Sequence, residues 1–163
     1  MTGSKWQVAS GKLPYTKPLA TCYLPLFTED RHMNEKTEQR LQTERNIWLA
    51  TNRADGRPHL VPVWFVWWNG RFYLGIQSGS VKANNLARNP KVSLALEDGV
   101  RVVICEGTAV TVPPPIDPDL NQLFQAKYDW NFATDDEYDL LIQITPDKWL
   151  TWTGGDAEGT EGS

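Results

Sequence analysis

A chain of 163 residues, 40% hydrophobic and 22% charged, is long enough for one domain with a sizeable core. Its net charge of −4 excludes the broad basic surface that general nucleic-acid or anionic-membrane binding requires. No stretch reaches the ~18 consecutive apolar residues of a membrane span, and the N-terminus lacks a signal-peptide core, so a cytoplasmic, reducing location is expected.

Residues 1–33, with Pro14, Pro18 and Pro25, show little regular pattern and read as an N-terminal arm. A polar helix follows over 34–46, capped by Asn34 and anchored by Leu41. From Ile47 the period changes to strands. "IWLATNR" turns at "ADGRP" into "HLVPVWFVWW", and Asn69-Gly70 turns that strand into "RFYLGI". A short helix over 81–88 precedes "KVSLALE", the turn at Asp98-Gly99 and "VRVVICEGTAVTV". Pro113 to Pro115 break the sheet, a helix starts near Asp117, and two last strands, "YDLLIQIT" and "KWLTWT", flank Pro146-Asp147. The Gly- and acid-rich residues 154–163 read as a disordered tail. The expected fold is mainly β: a six-stranded antiparallel barrel spanning 34–153 with flanking helices.

In "VPVWFVWW", Val61, Val63, Phe65 and Trp67 point one way, and Pro62, Trp64, Val66 and Trp68 the other. Both faces are apolar, whereas a half-solvated strand alternates with polar residues. One face can fill the barrel. The other needs a helix, a ligand or a second copy of the chain.

"SGSVKANNLARNP" poses an electrostatic question. Ser80 caps the helix and Asn89-Pro90 ends it, which leaves Lys82 in the first turn at the positive end of the helix dipole. Lys82, Ser78, Ser80 and the free N–H groups there form a candidate anion site. His59 and Arg57 are candidates to assist a reaction, and Glu97-Asp98 is a carboxylate pair at a turn. Cys22 and Cys105 lack any metal-ligand spacing, and no metal site is expected. No nucleophile elbow, Walker loop or dinucleotide fingerprint is present, so any chemistry would rest on a bound cofactor.

Taken in order, "LATNRADGRPHLVPVWFVW", "GRFYLGIQSGSVKANNLARNPKVSLALED" and "VVICEGTAVTV" resemble the pyridoxamine 5′-phosphate oxidase-like, FMN-binding split-barrel superfamily, including its F420-dependent reductases. The resemblance implies a homodimer with a flavin at the interface, either FMN or the deazaflavin F420. Its phosphate would lie near Ser80 and Lys82, and its ring along Val61, Pro62, Val63 and Trp64 and against Ile76, Gln77 and Ser78. Asn85 belongs to the same motif. Vitamin B6 oxidases of the family carry a cationic pair where this chain has Val61 and Val66, and an arginine where it has Val81; their C-terminal arginine motif is absent.

The expected activity is therefore hydride transfer between bound flavin and a small conjugated substrate, other than vitamin B6 oxidation. An F420-dependent reductase and a non-catalytic flavin-binding or stress protein are the alternatives. A third reading, a single-strand nucleic-acid barrel stacking bases on Trp64, Trp68 and Tyr73, conflicts with the net charge of −4.

Overall fold

A computed structural model describes residues 34–154; the expected arm and all of the expected tail except Gly154 lie outside the described residues, as does Cys22. The chain runs α1 (Glu35–Thr43), β1 (Asn46–Asn52), β2 (Pro58–Trp64), β3 (Val66–Trp68), β4 (Arg71–Ile76), α2 (Val81–Arg88), β5 (Lys91–Ala95), β6 (Arg101–Val112), α3 (Pro118–Tyr128), a 3-10 turn (Phe132–Thr134) and β7 (Leu140–Thr153). Asn34 caps α1 by accepting the Lys36 N–H. The Asn69-Gly70 turn takes the left-handed backbone (φ 49° and 71°) that a two-residue hairpin demands. No helix among the described residues is long and apolar enough to cross a membrane.

The sheet has seven strands rather than the expected six, in the antiparallel order β2-β1-β5-β6-β7-β4-β3. Against the seven strand runs quoted from the sequence, two differences of pairing offset one another in number. The apolar run 58–68 breaks at Phe65, because β2 pairs with β1 while β3 pairs with β4. The last two expected strands are one: β7 pairs with β6 along its length, and a bulge between Glu106 and Gly107 absorbs the extra residue at Asp147.

The break at Phe65 curls the sheet. β2 and β3 lie at opposite edges of the order, yet one residue joins them, so the edges must approach one another. Phe65 is fully buried there, and its backbone is served by α3. The Tyr128 hydroxyl accepts the Phe65 N–H (2.9 Å) and lies 2.7 Å from the carbonyls of Phe65 and Arg45, one of which takes its single proton.

The barrel interior holds Leu49, Phe65, Phe72, Leu74, Ile76, Leu94 and Ile144. A second apolar layer forms where α3 covers the outer face, with Val66 and Tyr73 packed against Leu120, Phe124 and Tyr128. A helix thus covers the second face of β3. The same face of β2 stays open, with Leu60 58% and Trp64 45% exposed.

Candidate functional site: a cleft between Lys82 and an aromatic wall

α2 forms because its cap, apolar face and stop agree. Ser80 Oγ accepts the Ala83 N–H (3.3 Å), Ala83 and Leu86 are buried, and the helix ends at Asn89. The first-turn amides of Val81 and Lys82 have no intrahelical acceptor. Lys82 lines a cleft of about 590 Å³ together with Asn46, Pro62, Val63, Trp64, Gly75, Glu97, Trp130, Asp135 and Tyr138. That volume lies within the roughly 300–1,000 Å³ of small-molecule sites.

Partial burial lowers the pKa of the Lys82 ammonium below the usual lysine value. None of the ion pairs among the described residues includes Lys82. Desolvation and the helix dipole therefore both disfavour a charge that has no ion-pair partner among the described residues. An anion beside it would relieve both penalties, so the residues present fit a phosphate at this end.

The opposite wall is aromatic. Trp64 stacks on Tyr128 (centroids 4.6 Å apart, planes 8°) and meets Trp130 edge-on at 5.9 Å; Trp130 in turn meets Tyr138 at 5.5 Å. Trp130 lies flush on β4 because Gly75 has no side chain: a Cβ there would sit 2.4 Å from the indole. The indole N–H donates to Asp135 (2.7 Å), which also accepts the Glu137 and Tyr138 N–H groups (2.8 and 2.7 Å). These bonds, that from Tyr138 foremost, hold the Asp135 carboxyl below its ordinary pKa.

Five of the residues singled out in the sequence meet in this cleft: Lys82, Pro62, Val63, Trp64 and Glu97. The others take different positions. Ser80 Oγ is engaged as the cap and donates to the Gln77 carbonyl (2.7 Å). Ser78 gives its N–H and hydroxyl to Asp139 (2.8 and 2.7 Å), and Gln77 donates to Glu137 (2.6 Å). Ile76, 0% exposed, is part of the barrel core, and Val61 is half-buried on the inward face of β2. Asn85, 1% exposed, ties α2 to β1 by donating to Thr51 Oγ1 (3.0 Å) while accepting from Arg88 (2.9 Å).

His59 lies against Arg53 (3.2 Å), Arg57 is paired with Asp55, and neither lines the cleft. Glu97 and Asp98 do not act as a pair. Glu97 faces the cleft, whereas Asp98 accepts the Arg101 and Val100 N–H groups, which bring its pKa down to about 2. Cys105 is buried, and burial raises its thiol to about 12. Sequence reasoning missed Gly75, Trp130, Asp135 and Tyr138. The one available signal was the aromatic- and acid-rich "DWNFATDDEY", which falls largely outside the motifs that carried the resemblance.

A sequence profile described as pyridoxamine 5′-phosphate oxidase matches residues 33–153. The chain belongs to that family. None of the curated proteins matches it. Among solved structures it is similar to the heme storage protein HutZ from Vibrio cholerae, at 20% identity, over 74% of this chain and 96% of that one, with a TM-score of 0.61. It is likewise similar to an F420 reductase, at 24% identity over 72% and 98%, TM-score 0.58. A conserved hypothetical protein from Mycobacterium tuberculosis gives 27% identity over 74% and 85%, TM-score 0.59. The first two likenesses show a shared split-barrel fold and, at those identities, nothing finer.

Proposed function

We propose that this member of the family binds a flavin-type cofactor, FMN or alternatively F420, in the Lys82 cleft and supports hydride transfer to or from a small conjugated substrate. The observation that carries the reading is the unpaired, partly desolvated Lys82 at the start of α2, opening into the same cleft as Pro62, Val63 and Trp64. Family membership and the likeness to an F420 reductase support it. Lys82 and the amides of Val81 and Lys82 hold the phosphate; Pro62, Val63 and Trp64 bound the ring and exclude water from it. The cofactor, when bound, supplies the hydride chemistry. The open outer face of β2, with Leu60 and Trp64 exposed, is where a second copy of the chain would cover this cleft as a homodimer.

Vitamin B6 oxidation is not the proposed reaction. Val61 and Val66 replace the cationic pair, and Val66 is buried under α3. The test is the mass and absorption spectrum of the small molecule released from protein made in a host containing both flavins. FMN or F420 at near-stoichiometric yield is expected, whereas a heme spectrum or a colourless protein that binds neither flavin overturns the proposal. Lys82→Ala is expected to weaken flavin affinity by about tenfold or more, the scale of one charge-assisted contact; a fluorescence titration with unchanged affinity would place the phosphate elsewhere.

A further inference from the structure

The charges lining the cleft do not balance once Lys82 is engaged. Its lining contains one cation, Lys82, and two carboxylates, Glu97 and Asp135. Asp135 is fixed as an anion, since the Trp130 indole and two backbone amides all donate to it. Glu97 makes no ion pair among the described residues. With a phosphate on Lys82, both carboxylates remain without a counter-charge at the rim of the cleft. The surfaces beside them are the faces and edges of Trp64, Trp130 and Tyr138, of which Trp64 is 45% and Tyr138 38% exposed. Aromatic faces carry negative quadrupole potential and attract cations.

We infer that the Trp130–Tyr138–Asp135 wall, together with Glu97, takes a planar heteroaromatic substrate that is cationic or uncharged and turns away anionic rings. This rests on the cofactor reading above for the state of Lys82. Flat rings stack on the indole and phenol faces, and positive charge on the ring is matched by both carboxylates. A phosphorylated or carboxylated ring meets two like charges and a lysine already occupied. The substrate class is thereby set by residues of the 130–138 segment, which reaches the cleft only because α3 docks on β3 and β4.

Three probes of nearly equal size and different charge test this: 1-methylnicotinamide (cation), nicotinamide (neutral) and nicotinate (anion). Each is titrated calorimetrically into the full chain with and without FMN, and FMN binding is read separately from its absorbance. With FMN present, the cation is expected to bind at least about tenfold more tightly than the anion, with the neutral ring between. Glu97→Gln should reduce that ratio severalfold, and Asp135→Asn should reduce it further. Because Asp135 also orders its turn, the exposed Glu97 is the variant that decides if Asp135→Asn fails to fold. Nicotinate binding as tightly as the cation, a ratio unmoved by Glu97→Gln, or no binding by any probe would overturn the inference. A charge preference without binding of FMN, or of F420 titrated in the same way, would sink the cofactor reading; cofactor binding without the preference would sink this inference alone.

Discussion

Tyr128→Phe removes one oxygen from the point where the barrel changes edge. That oxygen accepts the Phe65 N–H at 2.9 Å and donates to one of two carbonyls at 2.7 Å. Phe65 is 0% exposed, so no water can replace the hydroxyl at its amide. Leaving a buried donor unpaired costs about 1–3 kcal/mol. The aromatic ring survives the change, and with it the stack on Trp64, worth roughly 0.5–1.5 kcal/mol. The expected loss is therefore about 2 kcal/mol, seen as a lower urea midpoint at unchanged slope and a Tm lower by roughly 4–8 °C at this size.

The same substitution should change the alkaline limb of stability. Burial, the largest influence on this phenol, raises its pKa to about 12, against about 10 in the unfolded chain. The neutral hydroxyl thus favours the folded state fully below pH ~10, and that contribution disappears as pH rises from ~10 to ~12. The Phe variant should lack this part of the loss. Unfolding at the wild-type urea midpoint, or an unchanged alkaline slope, would show that the hydroxyl does not hold the break and would refute the reasoning.

Other outcomes follow from the same geometry. Gly75→Ala places a Cβ against Trp130 and Phe132, within 2.4 and 2.7 Å; overpacking of about 1–3 kcal/mol and a shifted tryptophan emission are expected, and wild-type stability would mean that Trp130 does not rest on β4. Asn85→Ala should cost about 1–3 kcal/mol in urea unfolding, because it leaves the buried Thr51 hydroxyl without its donor, and a neutral result would refute a scaffolding role. Ser78→Ala should leave flavin affinity within about twofold, since both Ser78 donors are held by Asp139; a tenfold loss by fluorescence titration would show that Asp139 yields them to the phosphate.

Elements with strong local chemistry were legible without coordinates. Ser80 and Asn89-Pro90 bound α2 from within its own sequence, Asn34 starts α1, and Asn69-Gly70 makes its hairpin, because caps and left-handed turns depend on adjacent residues. The placement of Lys82 at a helix start and the apolarity of both faces of the 61–68 run were likewise determined by the order of residues alone. Tertiary structure decided how those faces are covered. Phe65 becomes a break because β2 and β3 take partners on opposite edges of the sheet and a hydroxyl 63 residues away satisfies its backbone. Pro146-Asp147 reads as a strand end, yet the long ladder with β6 absorbs it as a bulge. Three of the ten cleft-lining residues, Trp130, Asp135 and Tyr138, carry no local signature of their place, since only the docking of α3 brings Trp130 over Gly75 and all three into the cleft with Lys82. Hydrogen bonding among neighbours can be read along a chain; pairing and burial between residues sixty positions apart are settled only when the sheet closes.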